Sequence, residues 1–177
     1  MITYTFSNFV NALCQCWTGL NTQTIDDVRG LLMSTASNGG EMSWVRQLKT
    51  QQFTVQELYH DQKQGFILLA HSEAKNTYRP PHNHGSGWVF YTVLVGEMEM
   101  KTYKQVTSSS GESYLVSRGT DTLKTGDCRV FLPGDIHDTR CTSDNLILLR
   151  LTSCDFKKEL TEGRLIRFTT DDTSIER

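Results

Sequence analysis

Three imidazoles and one guanidinium carry most of the chemical capacity of this 177-residue chain. The stretch Arg79-Pro80-Pro81-His82-Asn83-His84-Gly85 holds two histidines separated by one residue. In extended backbone, side chains two apart share a face, so His82 and His84 would project together and could chelate one metal ion. The two prolines ahead of them stiffen the approach to the pair. A second element runs from Gly126 to His137 through Leu132-Pro133-Gly134-Asp135. It reads as a strand, a tight Pro-Gly turn and a histidine opening the next strand, and would bring His137 alongside as a third imidazole. Alone, His82 and His84 also read as exposed loop histidines; His137 in its own strand-turn-strand context favours the metal site. Neutral imidazoles suit iron, copper, nickel or zinc, so the donor type does not select the metal.

Such ligands need a rigid scaffold. In the first ~50 residues, Phe6, Phe9, Val10, Leu13, Cys14 and Trp17 recur at spacings of three and four, which predicts an amphipathic helix. Thr24-Ile25-Asp26-Asp27 looks like the cap of a second helix through Val28, Leu31, Leu32 and Met33, ended by Ser37-Asn38-Gly39-Gly40. Met42 to Leu48 predicts a short third segment packed on the outside of the barrel. From Gln52 the texture changes to short β-like runs: Phe53 to Tyr59, Gly65 to His71, Trp88 to Val95, Glu97 to Val106, Ser113 to Val116, Asp127 to Leu132, Asn145 to Thr152 and Arg164 to Thr169. Strands at this spacing, with turn residues between them, predict an antiparallel sandwich or barrel. Length fits one domain over 1–177, with a helical part over about 1–50, strands over about 52–169 and a loose tail over 170–177.

On these residues the sequence resembles the cupin superfamily, whose two motifs are an HxH and a later Gly…Pro-Gly…His element. Residues 76–96 and 126–137 carry the likeness. It implies a mainly β fold, a small cupin β-barrel (double-stranded β-helix) preceded by two or three short helices. Many cupins add a glutamate ligand, but Val89 stands at that place and Asn76 replaces a common glycine. The site is therefore similar to the three-histidine centres of the cysteine dioxygenase family. That resemblance implies iron(II) held by His82, His84 and His137, and oxidation of a small thiol by O2 to a sulfinate. The likeness departs elsewhere. Val89 also occupies the place of a crosslinking cysteine; Leu148, Arg150 and Thr152 replace a Ser…His…Tyr series; and Thr54-Val55-Gln56-Glu57 lacks the substrate-binding arginine. A different three-histidine reaction, such as organic-acid oxygenation or isomerisation, and a non-catalytic metal- or ligand-binding role stay open beside the dioxygenase.

Strand parity marks further candidates. If Arg150 faces inward, it would be a buried cation able to grip a substrate carboxylate; otherwise it faces solvent or pairs with Asp135 or Asp138. Tyr91 shares the parity of Val89 and Val93, so its phenol either reaches substrate or packs in the core. Trp88 either walls the pocket or packs, and Cys141 reads as a small apolar filler. Tyr78 and Arg79 are candidates for the pocket mouth. Asp138 could orient an imidazole. His60 and His71 lie on strands before the motif; either could support the site from behind the ligands, but each alone reads as a surface or hydrogen-bonded histidine.

Composition narrows the partners. The net charge of −2 and the lack of a basic run argue against nucleic acid, and no apolar run approaches the ~20 residues of a membrane span. The N-terminus lacks a basic leader, and five scattered cysteines suit reduced thiols in a cytoplasm. Cys14-Gln15-Cys16 reads as helix-face packing. A monomer or a homodimer is expected.

Overall fold

The computed structural model describes residues 5–153 and 155–168. Helix α1 (Phe6–Cys16) opens at Thr5, whose side chain accepts a hydrogen bond from the Asn8 N–H, and buries Phe9, Val10 and Leu13. Helix α2 (Thr22–Ser37) starts earlier than its expected cap: Asn21, not Thr24, accepts from the Thr24 N–H at 3.0 Å. Helix α3 (Ser43–Thr50) buries Val45 and Leu48.

Among the described residues nine strands follow: β1 (Val55–Asp61), β2 (Phe66–Ala74), β3 (Tyr78–His82), β4 (Val89–Val95), β5 (Glu97–Thr107), β6 (Ser113–Lys124), β7 (Cys128–Phe131), β8 (Ile136–Cys141) and β9 (Asn145–Thr152). They form two antiparallel sheets, in the orders β1-β2-β9-β4-β7 and β3-β8-β5-β6. The expected closed barrel is not formed: among the described residues no strand pairing joins the edges of the two sheets, which face each other as a sandwich. Alternating apolar residues announce strands, but which edges pair is decided only by tertiary geometry.

Strand β4, inside the five-stranded sheet, is buried on both faces, which is why it reads as the nearly continuous apolar run VFYTVLV. The sheet's outer face, carrying Phe66, Leu68, Phe90, Leu149 and Leu151, packs against α1 to α3. Its inner face, carrying Val89, Tyr91, Val93, Leu146 and Leu148, meets Met98, Met100, Leu123 and Cys141 of the second sheet. Trp88 belongs to the outer layer, its ring 4.5 Å from that of Trp17, so it packs under the helices and does not wall the pocket. Cys141 is fully buried between the sheets, as its parity suggests.

Two further expectations change. Strand β6 runs to Lys124, well past Val116, because Ser117 to Thr122 form an exposed polar stretch with no apolar alternation to announce it. The predicted strand over Arg164 to Thr169 is not formed among the described residues. Asp155 instead caps helix α4 (Phe156–Thr161), and the chain after it makes one isolated bridge, Arg167 to His82. Thr169 and the expected tail lie outside the described residues.

Candidate metal centre

The site sits where the chain crosses between sheets. His82 ends β3, an edge strand, where Pro80 and Pro81 do least damage to the hydrogen-bond ladder. His84 is not on that strand: it lies in the loop leading from β3 to β4, so the pair does not share one strand face as the spacing suggests. His137 is the second residue of β8 and stands directly opposite His82 in the β3–β8 register. Its position is set by the Leu132-Pro133-Gly134-Asp135 turn, which carries the chain from β7 in one sheet to β8 in the other. Gly134 adopts φ 88°, the Asp135 N–H donates to the Leu132 carbonyl at 3.0 Å, and the Asp135 carboxylate accepts from the Leu132 N–H at 2.7 Å.

The three imidazoles converge. One nitrogen from each lies within 4.8 Å of the others, and His84 Nε2 and His137 Nε2 are 3.1 Å apart. Metal–nitrogen bonds of about 2.0–2.1 Å meeting at angles of about 90–109° would hold two nitrogens roughly 2.8–3.4 Å apart, so the His84–His137 spacing fits a shared ion. His82 Nδ1 lies 2.8 Å from the Pro80 carbonyl and, as donor, fixes the tautomer that leaves Nε2 free to ligate. Burial holds the rings in the neutral form a metal needs. His84 is pushed down to about 3 by burial, with His82 and Arg150 adding, and His137 is pushed well below its ordinary value. His82 is lowered too, by burial, against its Pro80 hydrogen bond. Aromatic rings clamp the pair behind: Phe131 stacks on His137 at 3.9 Å and Phe156 on His84 at 5.0 Å.

A cavity of about 440 Å³ opens beside the cluster. His82 reaches it, while His84 and His137 are fully buried behind. Arg150 and Tyr91 line it as inward parity requires, opposite each other in the β4–β9 register. The Arg150 guanidinium lies 4.6 Å over the Phe156 ring, its buried Nε has no partner, and among the described residues no carboxylate pairs with it. The alternative partners are engaged elsewhere: Asp135 holds its turn, and Asp138 accepts from the Tyr103 hydroxyl at 2.6 Å and the Tyr78 hydroxyl at 3.2 Å. Asp138 thus orients no imidazole, because the residue after an inward-facing His137 points to the opposite face. Burial raises the Tyr91 phenol above its usual value, keeping it protonated beside Arg150. Tyr78 and Arg79 also line the cavity, whereas His60 is exposed.

Several site residues escaped the sequence. His71 lines the cavity although it reads as an ordinary strand histidine; its parity with Glu73 on β2 was the available signal. Glu73 is buried and holds Arg79 through bonds of 2.5 and 2.8 Å to one carboxylate oxygen. Helix α4 covers the histidine loop: the buried Glu159 accepts from the Ser86 N–H and hydroxyl, both at 3.0 Å, and from Arg164. The segment after α4 is tied to the same loop, where Asn83 N–H donates to Ile166 O and Phe168 N–H to Pro81 O. Nothing near His82 in sequence signals this cover.

Fold and site together define a three-histidine cluster at one end of a two-sheet antiparallel sandwich, the coarse form of what the cupin resemblance implies. No protein-family model matches the chain, and no curated protein matches it. Among solved structures, it is similar to the Cnp3 cupin domain of Schizosaccharomyces pombe at 12% identity and a TM-score of 0.47, covering 66% of this chain and 77% of that one. It is similar to the DMSP lyase DddQ of Ruegeria pomeroyi at 20% identity and a TM-score of 0.45, covering 70% of this chain and 54% of that one. A third similar structure is KdgF from a Halomonas species, at 15% identity and a TM-score of 0.43, covering 55% and 74%.

Proposed function

We propose that this chain is a cupin-type, metal-dependent enzyme that holds one divalent ion on His82, His84 and His137 and acts on a small carboxylate-bearing molecule. One observation carries the reading: three neutral imidazoles converge beside a cavity whose wall holds a partly buried Arg150 with no carboxylate partner among the described residues. A metal at such a site acts as template and Lewis acid. Arg150 supplies a planar pair of donors for the carboxylate. Tyr91 keeps its phenolic proton and accepts a hydrogen bond from Arg150. Phe131 and Phe156 keep water from the backs of the imidazoles.

The finer form is iron(II)-dependent oxidation of a thiol, RSH + O2 → RSO2H, with a cysteine- or mercaptopropionate-like substrate. The donor set without carboxylate supports it, since Val89 is buried between the sheets and ligates nothing. Organic-acid oxygenation or isomerisation uses the same donors and asks nothing of the thiol-family residues absent here, so the broader form stands as the conclusion. The test is metal analysis of anaerobically purified protein, followed by O2 uptake with 3-mercaptopropionate and cysteine and turnover assays on non-thiol acids. Bound iron with thiol-dependent uptake establishes the finer form, and the Arg150→Gln variant then raises KM by roughly tenfold or more. Bound metal with turnover of non-thiol acids alone establishes the broader one. Failure to take up any divalent ion overturns both.

A further inference from the structure

Two buried nitrogens without a hydrogen-bond partner, Arg150 Nε and His71 Nε2, belong to residues that line the cavity. His71 is 7% exposed and sits on β2 opposite Leu148 of β9. Because Arg150 is two residues beyond Leu148, both side chains leave the same face of adjacent strands as diagonal neighbours, within reach of a long side chain. The nearby charges are otherwise matched: Arg79 is held by Glu73, while Arg150 has no carboxylate among the described residues. An imidazole between two guanidiniums stays uncharged, and burial with Arg150 and Arg79 pushes His71 down to about 3. The wall thus offers a cation with no carboxylate partner among the described residues and a neutral ring nitrogen without a hydrogen-bond partner.

We propose that His71 and Arg150 form a head-group subsite for the carboxylate of a small organic acid, His71 Nε2–H donating to one oxygen and Arg150 to the other. His71 is then a specificity-determining residue. The proposal rests on the reading of Arg150 as the substrate anchor, but not on the metal.

Calorimetry on the metal-free protein tests this with butyrate, butyramide and 1-butanol as probes. Butyrate should bind saturably and at least tenfold more tightly than the two uncharged probes. His71→Phe should weaken butyrate at least fivefold while leaving metal uptake unchanged; His71→Gln, which keeps an N–H donor, should recover part of the loss. Arg150→Gln should abolish the preference for butyrate. Equal binding of butyrate and butyramide, or His71→Phe and His71→Gln variants with native affinity, overturns the subsite. Selective butyrate binding in a protein that takes up no metal would instead sink the metal-enzyme reading and leave the subsite standing.

Discussion

The Nδ1 atoms of His84 and His137 are buried without a hydrogen-bond partner among the described residues. Burying an unpaired polar atom costs about 1–3 kcal/mol, so these rings weaken the metal-free fold, a cost that metal binding at their other nitrogens would offset. Replacing His137 by leucine, which has a similar volume, separates the two effects. The His137→Leu variant should unfold in denaturant at the same midpoint as the metal-free protein or a higher one. Adding divalent metal should stabilise the native chain, by about 4 kcal/mol at a thousandfold excess over Kd, and leave the variant unchanged. A variant still stabilised by metal would remove His137 from the ligand set. Of these residues, His82, His84 and His137 were legible because two short motifs announce them. The role of His71 was not, because a lone histidine on a strand shows nothing of what stands opposite.

Helix α4 and the loop of His84 form a single assembly. Gly85 adopts φ 63°, and a Cβ there would lie 2.3 Å from a Glu159 carboxylate oxygen and 3.2 Å from the Arg164 backbone. Only glycine lets the loop approach this closely. Gly85→Ala should therefore displace α4, cost at least about 1 kcal/mol, and weaken metal affinity through the shifted His84. Isothermal titration with metal, alongside limited proteolysis of the C-terminal segment, checks this; native affinity with native resistance would show that α4 merely covers the loop. The predicted strand at Arg164 fails for the same reason that α4 matters: its apolar residues Leu165 and Phe168 are buried against other elements and not in a sheet ladder. Helices α1 to α3 and strands β2, β4 and β9 were readable from periodicity, with ends shifted by only a few residues, whereas β3 and β8, which carry His82 and His137, were announced only by the histidine motifs.

For the whole molecule, the buried neutral histidines set the response to acid. The folded forms of His71 and His84 protonate at about 3, against 6.5 when unfolded. Between those values the unfolded chain binds more protons, so stability falls as pH is lowered through this window. Glu159, lowered from 4.5 to about 2 chiefly by its Arg164 hydrogen bond, adds a loss in the same direction at lower pH. Denaturant titrations of metal-free protein should show stability declining from pH 6.5 towards 3, with each of the two histidines contributing on the order of a few kcal/mol at the limit. The His71→Phe variant should show a shallower decline. A flat profile across this range would mean that these rings are not held neutral.

The sequence by itself determined the local features: the amphipathic helices, most strands, the Pro-Gly turn ahead of His137, and the three imidazoles. Periodicity and turn chemistry act over a few residues and can be read there. Only the tertiary structure decided that the sheets stack without closing, and that β3 to β4 and β7 to β8 cross between them at one end. Those crossings place His84 and His137 3.1 Å apart, though 53 residues separate them. The same packing turns Arg150 and His71 towards one cavity and brings α4 over the histidine loop. Strand order and register between distant segments follow from how two sheets and three helices bury their faces together, and no local pattern encodes that.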